Sequence, residues 1–208
     1  MNELFEYARI RTEARSWPRV LAGVRERARP AIEAAGGRLY GVFLPQIGLA
    51  AHEGVVLSVW PDRDSQAEGA LAALQDLDAV VSCERERLVA TVRPESAEPP
   101  PAGGVYAHRS FELLESDWPE FLALSEAAWP VFEKDFEARV IGLFRSLDVE
   151  PPLAKALLLT RYGSLADWQQ SRMAGQRSDE QERTRARFGR RHELTRSTIV
   201  VTTQLAPG

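Results

Sequence analysis

Trp17-Pro18-Arg19-Val20-Leu21-Ala22, followed sixteen residues later by Arg38-Leu39-Tyr40-Gly41-Val42-Phe43, has an echo in Trp118-Pro119-Glu120-Phe121-Leu122-Ala123 and Arg139-Val140-Ile141-Gly142-Leu143-Phe144. The offset is 101 residues throughout, with seven identities over the ungapped stretch 17–43. The matches join a helix start to a strand some 20 residues on, so the chain reads as an internal repeat rather than as two unrelated stretches.

Working outward, each half shows the same order of elements. Leu4 to Arg11 and Val105 to Leu113 are rich in aromatic and branched residues and read as opening strands. Ser16 and Asp117 stand where helix caps would stand, with proline in the first turn, and Asp117-Trp118-Pro119-Glu120 has the spacing of a capping box. Val20, Leu21, Val24, Ala28 and Phe121, Leu122, Ser125, Trp129 form helical stripes, which Pro30 and Pro130 are expected to end or kink. Short strands follow at 38–44 and 139–144, each with a central glycine, and third strands at 55–60 and 156–162. A short helix is expected from Ala67 to Leu77 after the turn Pro61–Ser65, and a longer one from Ser164 to about Arg191. Closing strands run from Cys83 to Val92 and from Ser197 to Leu205. The order is βαββαβ twice.

A βαββαβ sheet covers only one face with its own helices, so the other face must find a partner, and here the chain supplies one. The expected fold is α+β, two ferredoxin-like βαββαβ repeats packed sheet to sheet as an intramolecular dimeric α/β barrel. Its parts are a repeat over 1–93, a linker over 94–104 and a repeat over 105–208. The boundary, Arg93 to Gly104, holds four of the 13 prolines and two of the 14 glycines, and consecutive prolines keep a backbone extended.

Composition excludes several classes. With 26 Lys+Arg against 30 Asp+Glu the net charge is −4, which disfavours a nonspecific nucleic-acid binder. No run approaches the ~20 apolar residues that cross a bilayer, and the first residues lack a basic segment followed by an apolar one. The single cysteine, Cys83, cannot form an internal disulfide and is read as an inert thiol, so a reducing, cytoplasmic setting is expected.

The opening strands, the Trp-Pro helix starts and Val56-Leu57-Ser58-Val59-Trp60-Pro61-Asp62-Arg63-Asp64-Ser65 leading into a short helix together resemble the NIPSNAP family of the dimeric α/β-barrel superfamily. Leu158-Leu159-Thr160-Arg161-Tyr162-Gly163-Ser164-Leu165-Ala166-Asp167-Trp168 looks like the same feature in the second half. The resemblance covers nearly the whole chain as a tandem pair, and the charged insert at Gln169 to Arg191 departs from it. It implies architecture more than activity. NIPSNAP-like domains have no settled biochemistry, while relatives on the fold include cofactor-independent monooxygenases, muconolactone-type isomerases, haem-binding chlorite dismutases and dye-decolourising peroxidases.

Strand alternation supplies the candidate site. With Ala8 and Ile10 facing the helices, Tyr7, Arg9 and Arg11 face the barrel lumen, and the 101-residue offset places His108, Ser110 and Glu112 beside them. These six are the candidate ligand-binding residues. They suit a polar or aromatic anion, with arginine as charge partner and His108 or Glu112 as candidate proton acceptor. The same groups could instead pair with one another as a satisfied polar core. His52, His108 and His192 have no metal-ligand spacing, and nothing around His108 or His192 marks a haem pocket, so neither metal nor cofactor is expected.

Between Ser171 and Arg196 eight arginines face four acids, a local excess of +4. Acids interspersed at helical spacing favour a solvated face over a nucleic-acid surface. Three functions remain open: a small-molecule binder using the lumen, a cofactor-independent monooxygenase or isomerase in which Arg9 or Arg11 stabilises the anion formed, and an interaction protein. In the last the lumen is filled, and an exposed helix or strand edge recruits a partner, a homodimer included.

Overall fold

The computed structural model describes residues 3–62, 67–173 and 179–207, with only the backbone for 67–70. The expected turn at Pro61–Ser65 falls outside these residues from 63 on, as does Arg177. The first half runs β1 (Leu4–Thr12), α1 (Trp17–Gly23), α2 (Arg29–Ala34), β2 (Arg38–Ile47), β3 (Glu53–Trp60), α3 (Ala67–Gln75) and β4 (Val80–Ala90). The second runs β5 (Val105–Leu114), α4 (Trp118–Asp135), β6 (Ala138–Ser146), β7 (Leu153–Tyr162), α5 (Leu165–Gln170), α6 (Asp179–Glu193) and β8 (Thr195–Leu205).

All eight strands form one closed barrel in the order β1-β3-β2-β8-β5-β7-β6-β4. Each half contributes a ferredoxin-like sheet, and the outer strands join across the halves, β2 with β8 and β4 with β6. The two seams share one register: Phe43 lies opposite Leu205, and its counterpart 101 residues on, Phe144, lies opposite Ala90. Closure at the seams is partial: only Leu88–Ala90 of β4 pair with β6 and only Thr202–Leu205 of β8 pair with β2, so the first residues of β4 and of β8 are paired along one side among the described strands.

The same register break occurs twice, between Leu39 and Gly41 and between Val140 and Gly142. A Cβ on Gly142 would sit 2.6 Å from the Phe144 ring, so glycine there lets the ring two residues on fold back over its own strand. Phe144 then packs on Phe5 at 4.9 Å between centroids, and Phe43 packs on Tyr106 at 5.3 Å, one contact seen twice. With Leu57, Leu88, Leu157 and Leu159 these rings fill the centre of the lumen. Separate cores lie between each sheet and its helices.

Three local expectations need correction. Of the expected end or kink at each proline, the end does not occur: before Pro30 the helix widens to a π turn over Val24–Ala28, with the Arg29 N–H reaching the Val24 carbonyl, and Pro130 lies inside α4. Neither Ser16 nor Asp117 makes a side-chain cap; Ser16 donates to the Glu13 carbonyl instead. The long helix expected from Ser164 is broken into α5, which Ser164 does cap through the Asp167 N–H, and α6.

The linker is more than a spacer. Pro94, Ala97 and Pro100 are buried and their neighbours exposed, a period of three that matches a polyproline II helix docked along one face. Ala97 joins the lumen core, and the Tyr106 hydroxyl donates to the Pro101 carbonyl. The segment thus lies across the barrel end where β1 and β5 begin.

Candidate functional site

The opposite end of the barrel is open. A cavity of about 440 Å³ there is lined by Tyr7, Arg9, His108 and Ser110 together with Glu84, Glu86, Lys155 and the loop residues Leu49 and Val149. Four of the six lumen residues expected from alternation therefore meet in one place. Arg11 and Glu112, two residues further along their strands, lie beyond the cavity.

At its floor the Tyr7 hydroxyl lies 3.2 Å from His108 Nδ1, and His108 Nε2 lies 2.9 Å from Thr203 Oγ1. Thr203 donates its own proton to the Tyr106 carbonyl at 3.3 Å. With the threonine proton given to the Tyr106 carbonyl, the assigned tautomer has His108 donating from Nε2 and its bare Nδ1 accepting from Tyr7. Complete burial without an anionic neighbour pushes His108 down to about 3, so the ring is neutral at physiological pH. Burial, then the Glu86 carboxylate, push the Tyr7 phenol upward, so it keeps its proton. The pair is a fixed hydrogen-bonding floor rather than a base poised near neutrality.

Two cations on the lining are already paired. Arg9 holds Glu53 at 2.7 Å, which raises the guanidinium and lowers the carboxyl, and Lys155 holds Glu86 at 2.7 Å. The Arg9 side chain expected to meet an anion already has one.

His52 sits in the β2–β3 turn, its carbonyl accepting the Thr12 N–H, and His192 lies on α6. Among the described residues no three His, Cys, Asp or Glu side chains cluster as a metal site. Burial raises the Cys83 thiol and so reduces its nucleophilicity. No described helix is long and apolar enough to cross a membrane.

The arginine-rich stretch is less solvated than its composition suggests. Arg187 donates to the Ala127 carbonyl, Arg190 pairs with Glu120, and Arg191 donates to Ser125 Oγ, all on α4. Arg109, which sequence reasoning passed over, projects from β5 into the space between sheet and helices, where Arg172 and Arg191 also lie. The available signal was its place in the repeat: it is the counterpart of Ala8, which lies on the helix-facing side of β1.

No known family description matches the chain, and no curated protein matches it. Solved structures do. A single-residue variant of chlorite dismutase from Candidatus Nitrospira defluvii superposes with a TM-score of 0.64 at 14% identity, over 99% of this chain and 92% of that one. An anthrone oxidase-like protein gives 0.63 at 12%, over 100% and 92%. A Lactobacillus acidophilus NCFM protein provisionally assigned as a monooxygenase gives 0.63 at 8%, over 99% and 94%. At such identities the likeness defines the fold, the dimeric α/β barrel, and leaves the chemistry to the residues.

Proposed function

We propose that the protein binds a small, uncharged polar molecule at the open end of its barrel, against Tyr7. The observation that carries this reading is the Tyr7–His108 contact of 3.2 Å at the cavity floor. In the tautomer assigned above Tyr7 donates inward to His108, which leaves its oxygen lone pairs for a donor on the ligand, a hydroxyl or N–H. Arg9, Arg85 and Lys155 balance Glu84, Glu86 and Asp148 around the cavity, which favours a neutral ligand over the anion that the two arginines first suggest.

The reading extends to organisation. Residues 1–93 and 105–208 are taken as two copies of a NIPSNAP-like unit joined by 94–104, working in a reducing, cytoplasmic setting. The monooxygenase alternative draws on the names of the structural neighbours. Of its two candidate proton acceptors, His108 is neutral and hydrogen-bonded between Tyr7 and Thr203, and Glu112 does not line the cavity.

The test is a thermal-shift and calorimetric comparison of wild type with Tyr7→Phe, which keeps the ring and removes the hydroxyl, using resorcinol and related uncharged phenols as probes. Wild type should bind and the variant should bind at least tenfold more weakly. Equal binding to both proteins, or a response to charged probes only, would overturn the reading.

A further inference from the structure

A second cavity, of about 310 Å³, lies between the second-half sheet and helices α4 and α6. At the equivalent place in the first half Ala8 is fully buried in a core with Val20, Trp60 and Leu71. On β5 the helix-facing residues are Ala107, Arg109 and Phe111, so a guanidinium occupies the position of that alanine. Arg172 and Arg191 border the same space.

None of the three has an acid. No carboxylate lines the cavity, and Arg109 makes no hydrogen bond or ion pair among the described residues. Arg172 donates to the Tyr162 hydroxyl and Ser171 Oγ, and Arg191 to Ser125 Oγ, all neutral acceptors. Burial, followed by repulsion from the neighbouring arginines, holds Arg109 and Arg191 at about 10, still charged at neutral pH. Two further donors, Trp129 Nε1 and Thr198 Oγ1, are buried on the lining without a partner. Interiors seldom leave so many donors unmatched.

The walls have a different character. Arg191 lies 4.9–5.7 Å over the rings of Phe111, Phe121 and Phe188, and Phe132 and Trp129 complete an aromatic lining. We propose that this cavity is a binding site for a small aromatic carboxylate, its oxygens taken by the forked guanidinium groups and its ring by the phenylalanine and tryptophan walls. The volume lies at the low end of ligand pockets, about 300 to 1,000 Å³, which suits one or two fused rings. Planar donor forks matched to a planar carboxylate, with aromatic faces alongside, form a recognition geometry that lysine would not supply.

The site is separate from the barrel mouth and does not depend on the reading proposed for it. Naphthalene-2-carboxylate, titrated calorimetrically into the full chain, should bind, and the neutral naphthalene-2-carboxamide should not. Arg109→Met, which relieves the uncompensated charge at similar volume, should weaken carboxylate binding at least tenfold while raising the melting temperature of the unliganded protein, a combination that a structural role for Arg109 would not produce. Should that variant fail to fold, the more exposed Arg172→Gln is the substitute, with at least threefold weaker binding expected. Absence of binding, equal binding of the amide, or affinity unchanged in the arginine variants would overturn the proposal. Carboxylate binding that survives Arg109→Met but is lost in Tyr7→Phe would place the anion at the mouth instead, overturning this site.

Discussion

Tyr7 and His108 are counterparts in the two halves, 101 residues apart, and they touch. In a two-fold arrangement only a residue on the axis can meet its own counterpart, so this hydrogen bond marks the axis of the barrel. Its energetics can be read by acid titration. His108 is held near 3 in the folded chain and titrates near 6.5 when exposed, so between those values the unfolded chain takes up a proton that the folded one refuses. Stability therefore falls as pH drops below about 6.5, by about 1.4 kcal/mol per pH unit, a loss of about 3 kcal/mol by pH 4. Urea denaturation at pH 7 and pH 4 should show that loss in wild type in excess of any in His108→Gln, and parallel profiles would count against it. Tyr7, Arg9, His108 and Ser110 line one cavity, as alternation expects of regular strands such as β1 and β5 along that stretch. It overreached at Arg11 and Glu112, since a period of two fixes the face of a strand but not the depth along it. Arg109 escaped notice for the complementary reason: its face was assigned to the core, where a charge was not sought.

At the level of elements, the strands were more legible than the helices. Branched and aromatic runs marked all eight strands to within three residues at either end, and Ser16, Asp117 and Ser164 do stand at helix starts, whereas the prolines did not end their helices. Pro130 sits within α4, which packs against both the sheet and α6, and tertiary packing outweighed local breaking propensity there. The composition of α6 likewise concealed its packing, because Phe188 and Arg191 turn inward while most of its charges stay in solvent. Phe132 fastens this layer: its ring meets Phe136, Tyr162 and Phe188 within 6.1 Å, tying α4 to the sheet and to α6. Phe132→Ala should cost about 3 kcal/mol. By hydrogen–deuterium exchange it should quicken Asp179–Glu193 before the remainder of α4, and uniform exchange across both helices would contradict the assignment.

For the whole molecule, the fold followed from a single physical requirement, that each sheet must hide its uncovered face. What the sequence could not display was the role of the proline-rich segment, because polyproline composition reads as a spacer whether or not one side is docked. If the proposed repeats are held together by the lumen core and the two seams, the covalent link between them is dispensable once folding is complete. A protease site inserted after Ala102 and cut in the native state should yield two fragments that co-elute and melt in one transition at a lowered temperature. Fragments that separate on cutting would show that the connection, not the seams, holds the barrel closed.

With Pro94, Ala97 and Pro100 seated across one end, the chamber above Tyr7 is a cul-de-sac. Anything that visits it must retreat by the way it came, past Leu49 and Val149. A bulkier residue at that threshold would slow arrival and escape by a common factor, so residence time could be lengthened there without any change in how tightly the guest is held.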